Sequence, residues 1–230
     1  MNYLSPLHEA TIREKAADWT RPGLMVSNGA FRLKDLVING SVTVVRNPHY
    51  WDTQAVKLDA VTYYPLPDRG AATARFLAGD VDLADGFNID DIDWLRRDLG
   101  EQVRLSPYFG IVMLGMRLAK PPFDSPLVRQ ALSMALDRDI LMDKLLRGLF
   151  LPAYDYIPPY EGYQPAVPEW ASWPAERRHA RARELLAQAG YDARHPLKIE
   201  ISHQITSPDS RRMLEAIAAM WRSSLGAEVS

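Results

Sequence analysis

Asn39-Gly40 stands between two runs rich in β-branched and apolar residues, Gly29 to Asn39 and Ser41 to Arg46. Asn and Gly are the residues that best tolerate the positive φ of a tight hairpin turn, so the two runs are predicted to form antiparallel strands. The chain therefore has to contain an antiparallel sheet. Helix signals surround it. Ser5-Pro6, Ser125-Pro126 and Ser207-Pro208 each place a serine cap before a proline suited to the first helical position. Arg69 to Leu77, Ile89 to Leu99 and Ala175 to Ala189 are predicted helices closed by Gly79, Gly100 and Gly190. Asp137 caps another that ends near Gly148. Further strands are predicted at Ala60 to Leu66, Val81 to Leu83, Val103 to Leu105, Tyr108 to Leu118 and Leu197 to Ser202. Such a mixed order is α/β or α+β.

The pattern shifts near Ser106-Pro107-Tyr108, from hairpins and short helices to long helices. We place a boundary there, giving residues 1–108 and 109–230. The segment Pro152 to Pro174 has little periodicity but carries Tyr154, Tyr156, Tyr160, Tyr163, Trp170 and Trp173. So many rings need partners, which predicts an ordered loop packed on its own domain or a ligand wall.

Charge and composition remove several classes of function. Over 230 residues the net charge is −2, so no global field recruits nucleic acid. Gly110 to Met116 is the longest apolar stretch, well short of the roughly 20 residues a spanning helix needs. Cysteine is absent, which removes disulfides, thiolate metal sites and cysteine nucleophiles. His8, His49, His179, His195 and His203 form no i, i+4 pair of the kind a helical zinc site uses. The acidic run Asp80, Asp82, Asp85, Asp90, Asp91 and Asp93 departs from a calcium loop in spacing, and suits a helix start instead. No nucleophile elbow, phosphate loop or dinucleotide fingerprint occurs. Carboxylates are plentiful, so a catalytic pair stays open, but none is singled out; we name no catalytic residue, no metal and no cofactor. Arg177, Arg178, Arg181 and Arg183, interleaved with Glu176 and Glu184, read as a solvated helix face.

The ends are also informative. Met1 to Trp19 contains no basic segment followed by an apolar one, so it does not read as a secretory signal. Ala227-Glu228-Val229 reads as the beginning of a strand with nothing after it to pair. That end predicts a fragment of a longer protein. Such a piece could lack activity, because unpaired sheet edges favour self-association.

Several segments, read in order, resemble the family-5 solute-binding proteins of bacterial ABC importers, with the nearest likeness to those that bind oligopeptides. They are Trp19-Thr20-Arg21-Pro22-Gly23, Ser27 to Lys34, Arg46-Asn47-Pro48-His49-Tyr50-Trp51-Asp52 and Val61 to Leu66. Arg75-Phe76-Leu77-Ala78-Gly79-Asp80-Val81-Asp82 matches the family's R-[FY]-x-x-G-[ED]-[IV]-D pattern. Lys120 to Asp124, Val128 to Leu132, Met134 to Asp139, Pro158-Pro159-Tyr160 and Leu185 to Tyr191 follow.

The resemblance implies an α/β fold of the two-lobe periplasmic-binding-protein kind (type II, cluster C-like), incomplete here. Residues 1–108 would be the later part of the first lobe and 109–230 the opening part of the second. The implied activity is capture of a peptide between hinged lobes and delivery to an ABC permease. The implied place is periplasmic or tethered outside the membrane. The protein would be a monomer, with no nucleic-acid partner. The implied ligand residues are Tyr108, Phe109, Gly110, Met113, Ser210 and Arg211. Tyr108 matches a family tyrosine that faces the ligand, unless it packs within the hinge instead. Close peptide binders carry a tyrosine and a glutamate where this chain has Met113 and Gly115. Ser210 aligns with a histidine that meets the peptide carboxylate; its neighbour Arg211 either takes that role or faces solvent. The family's aspartate for the peptide amino group has no counterpart within residues 1–230. These departures keep other cargoes open: a dipeptide, murein peptide, opine, sugar or metal chelate. A hydrolase using a carboxylate pair is the rival from another class.

Overall fold

The computed structural model describes residues 7–203 and 207–230. It divides into two compact units, Met1–Phe87 and Asn88–Ser230. The predicted Ser5-Pro6 helix start lies outside the described residues.

In the first unit, α1 (Glu9–Lys15) begins at His8, whose Nδ1 accepts from the Thr11 amide at 3.3 Å. The predicted hairpin is present as β1 (Phe31–Val37) and β2 (Ser41–Arg46), and β3 (Ala60–Tyr63) pairs with β2 in the order β1-β2-β3. Its turn differs from a two-residue Asn-Gly turn. Val37 pairs with Ser41, Asn39 takes the left-handed conformation (φ 58°), and the Gly40 amide donates to the Val37 carbonyl at 2.9 Å. The extra residue in the loop is accompanied by a register shift between Leu33 and Asp35. Asp68 caps α2 (Arg69–Leu77), accepting from the Ala71 amide at 2.7 Å. The strand expected at Val81–Leu83 is not formed, and among the described residues nothing pairs with it.

Asn47 organises this unit. It is 2% exposed. Its Nδ2 donates to the Ser27 and Gly29 carbonyls at 3.0 and 2.9 Å, and its Oδ1 accepts from the His49 amide. One side chain thus ties the entrance of β1 to the exit of β2.

The second unit holds α3 (Ile92–Leu99), α4 (Pro126–Met134), α5 (Arg138–Ile140), α6 (Ala175–Gln188) and α7 (Pro208–Leu225). It also holds the parallel pair β4 (Lys198–Ile199) and β5 (Glu228–Val229). The Asp137 cap is observed, but α5 continues as a π-helical turn over Leu141–Leu145. Val128, Ala131 and Leu132 of α4 meet Ala182, Leu185 and Leu186 of α6 at helical spacing. Ile217 and Trp221 of α7 close the cluster, and the Trp221 indole N–H donates to the Leu132 carbonyl at 2.9 Å.

The reading of the α6 arginines as a solvated face needs correction. Arg181 pairs with Glu184 at the surface as expected. Arg178 is 7% exposed, and its Nη1 donates to the Met134 and Leu136 carbonyls at 3.1 and 2.7 Å. Those carbonyls lie at the end of α4, where helix geometry leaves acceptors without intrahelical donors. Arg183 serves the end of α7 in the same way, donating to the Ser224 carbonyl.

Candidate ligand-binding site

The strands expected at Val103–Leu105 and Tyr108–Leu118 are not formed. A strand needs a partner to be one, and among the described residues none runs beside them. The side chains alternate as a strand's would only over Met113 to Arg117, since Val112 is 63% exposed on the same parity as Leu114. Leu114 and Met116 pack on the core while Met113 is exposed. Among the described residues, the backbone of 104–116 makes one main-chain hydrogen bond, from the Gly110 amide to the Tyr108 carbonyl at 2.9 Å. The segment therefore displays a run of free donors and acceptors.

Four of the predicted ligand residues lie on it. Tyr108 is 87% exposed and Phe109 66%. Phe109 meets Tyr160 edge-on, with centroids 5.6 Å apart, and Tyr160 stacks on Tyr163 at 5.4 Å. The Tyr163 hydroxyl donates to Asp155 Oδ2 at 2.9 Å, and the Ala166 amide donates to the same oxygen at 3.0 Å. The Ala166 amide is the main cause, and the Tyr163 hydroxyl the second, of an Asp155 pKa below the ordinary carboxylate value. The same bond raises the Tyr163 phenol. Part of the aromatic loop thus packs against the predicted ligand segment. Elsewhere it packs on its own unit: the Arg138 guanidinium lies 4.6 Å from the Tyr154 ring centre and 5.9 Å from that of Trp170.

The other two predicted residues open α7. Ser207 caps the helix through the Ser210 amide, and its hydroxyl bonds to that of Ser210 at 2.8 Å. Arg211 lines a cavity of about 380 Å³ with Ile201, His203, Glu215, Arg222 and Ser230. Its neighbour Arg212 is held by Asp90 at 2.7 Å and Asp209 at 2.6 Å. Among the described residues the Arg211 guanidinium has no hydrogen bond or ion pair, so it can meet a carboxylate. No hydrogen bond, ion pair or ring contact joins Ser210 or Arg211 to the Tyr108–Met113 segment, among the described residues.

Asp155 escaped the sequence reading. Its signal was a carboxylate between two tyrosines, which also describes an ordinary surface turn. In the acidic run, Asp90, Asp91 and Asp93 have structural partners. Asp90 binds Arg212, Asp91 accepts from the Trp94 indole at 3.0 Å, and Asp93 lies 3.6 Å from Arg147. Among the described residues no group of three His, Asp or Glu side chains is placed to hold a metal, and no helix is long and apolar enough to cross a membrane.

The exposed, unpaired segment 104–116 thus lies beside part of the aromatic loop, and Arg211 near the start of α7 is available to a carboxylate. The chain belongs to the bacterial extracellular solute-binding proteins of family 5, whose middle-region model matches residues 1–230. It is 34% identical over 229 residues to the periplasmic oligopeptide-binding protein OppA of Salmonella typhimurium, covering 99% of this chain and 42% of that protein. It is 35% identical over 225 residues to the periplasmic murein peptide-binding protein MppA of Escherichia coli, covering 97% and 42%. The structure of that murein tripeptide-binding protein superposes with a TM-score of 0.84 over 98% of this chain and 44% of its own, at 34% identity. Haemophilus influenzae OppA in complex with RPPGFSPFR superposes at 0.80 over 98% and 45%, at 26% identity. The chain thus spans less than half the length of these relatives, which are binding proteins of the periplasm. The resemblance drawn from the motifs and the incomplete two-lobe fold it implied agree with these matches.

Proposed function

We propose that this chain is the central part of a peptide-capturing component of an ABC importer. It holds an extended peptide between two hinged lobes without chemical turnover. The observation that carries the reading is the likeness, at a TM-score of 0.80 over 98% of the chain, to a protein solved with a bound nonapeptide. The geometry supports it. An extended peptide carries alternating donors and acceptors, and the unpaired backbone of 104–116 offers their complements. Tyr108, Phe109, Gly110 and Met113 face the peptide, and Ser210 and Arg211 meet its carboxylate end, a charge-assisted contact that fixes register. Residues 1–108 belong to the first lobe and 109–230 to the second, with the crossing at Tyr108. The protein works as a monomer in the periplasm, or tethered outside the membrane, and passes its cargo to a permease.

Calorimetric titration of the polypeptide, as its gene encodes it, with RPPGFSPFR and with a murein tripeptide tests this. Saturable binding of one of them is expected, with the peptide recovered intact by mass spectrometry. Cleaved peptide would move the protein to the enzymes. No heat with either would overturn the peptide reading.

A further inference from the structure

Tyr108 and Gly110 form a device whose parts are separable. The Gly110 amide bonds back to the Tyr108 carbonyl at 2.9 Å, closing a three-residue turn. The turn brings the Tyr108 ring over the Cα of Gly110. A Cβ added at position 110 would meet ring atom Cδ1 at 2.7 Å, and Cε1 more closely still. Carbon atoms without a bond between them do not approach so near, so no L side chain at position 110 is compatible with this ring position. The atoms nearest that Cβ all belong to the Tyr108 ring, so a residue larger than glycine would disturb the ring rather than the core. The Gly110 φ lies outside the left-handed region, so alanine brings no backbone strain there. Phe109, between the two, is anchored edge-on against Tyr160. With Phe109 anchored and Tyr108 87% exposed, the ring is the part free to give way. Gly115, five residues on, has nothing within 4 Å of its Cβ position. Glycine at 115 is therefore not sterically required, and glycine at 110 is.

We infer that Gly110 is a positioning residue: its missing side chain lets the Tyr108 ring lie across the backbone, and this posture sets how the ring is presented to the ligand. The inference rests on the reading that Tyr108 faces a bound peptide. Gly110 thereby contributes to binding through Tyr108, in addition to its own place facing the peptide.

A double-mutant cycle on the polypeptide as its gene encodes it, titrated with RPPGFSPFR, tests this. Tyr108→Ala removes an aromatic contact and is expected to weaken binding about fivefold. Gly110→Ala is expected to weaken it by a similar factor with an unchanged melting temperature. The double variant is expected to bind no more weakly than Tyr108→Ala alone. A second readout needs no ligand: the Gly110 Hα resonances should lie upfield under the tyrosine ring current and return downfield in Tyr108→Ala. Gly110→Ala binding at full strength, an equal Gly110→Ala loss in the Tyr108→Ala background, or Hα resonances indifferent to Tyr108→Ala would each overturn the inference alone. Absence of peptide binding by the unaltered protein would defeat the peptide reading, and this inference with it.

Discussion

The two units are held together by different means. In Asn88–Ser230 the interior is apolar: Val128, Ala131, Leu132 and Ala182 have no exposed surface, and Trp221 closes over them. In Met1–Phe87 no apolar side chain is fully buried among the described residues, and the two buried side chains, Asn47 and Thr73, are polar. That unit is ordered by its three-stranded ladder and by Asn47. Apolar burial scales with area and resists local opening, whereas a hydrogen-bond network exposed to water stabilises modestly and opens readily. The second unit is thus expected to carry most of the stability of this chain.

The largest effect should come from truncating the apolar core. Leu132→Ala leaves a cavity between α4, α6 and α7, and is expected to cost about 3 kcal/mol in urea unfolding. The same truncation in the first unit, at the 44% exposed Leu36, should cost under about 1 kcal/mol. Equal losses at both positions would erase the contrast between the units.

Asn47→Ala reverses the comparison. It leaves the Ser27 and Gly29 carbonyls and the His49 amide without their partner, at an expected cost of about 2 kcal/mol confined to the first unit. Amide hydrogen exchange should quicken across β1 and β2 and stay unchanged at Leu132, Leu185 and Trp221. Faster exchange in both units would mean that their stabilities are coupled.

The elements legible in the sequence are those specified by local chemistry. Asp137 and Ser207 cap helices where capping rules place them, and Asn39-Gly40 reverses the chain where turn rules do, whereas Ser125 precedes α4 without a side-chain cap hydrogen bond. What was not legible depends on partners distant in sequence. The strand pattern predicted over Tyr108–Leu118 survives in the side chains only around Leu114 and Met116, and a strand is defined by a neighbour that local sequence cannot name. Arg178 looked like its solvated neighbours because nothing near it in sequence reveals the unsatisfied carbonyls of α4, more than forty residues earlier. Of the candidate site, the aromatic loop and the Tyr108 segment could be read separately. Their meeting through Phe109 and Tyr160, and the Asp155–Tyr163 bond behind it, could not.

The smallest effect concerns pH, and it sharpens the contrast from within the better-packed unit. His179 lies on α6 next to Arg178, and its Nε2 is buried with no hydrogen-bond partner among the described residues. Burial, then the charges of Arg178 and Arg183, push its pKa below the ordinary 6.5, with Asp137 opposing them. The unfolded chain therefore binds this proton more readily than the folded one. The sign follows from linkage: stability is unaffected by His179 well above pH 6.5 and falls as pH drops from there through the lowered folded value. Below that value both states are protonated and the loss stops growing. His179→Gln keeps a polar side chain of similar reach and removes the titration. The difference in urea midpoint between the variant and the parent should then shift with pH in the variant's favour below 6.5 and be flat above it. A difference independent of pH would mean that His179 accepts its proton equally well folded and unfolded. The acid sensitivity of the unit would then have to come from carboxylates such as Asp155 and Asp192, which backbone amides hold below the ordinary carboxylate value.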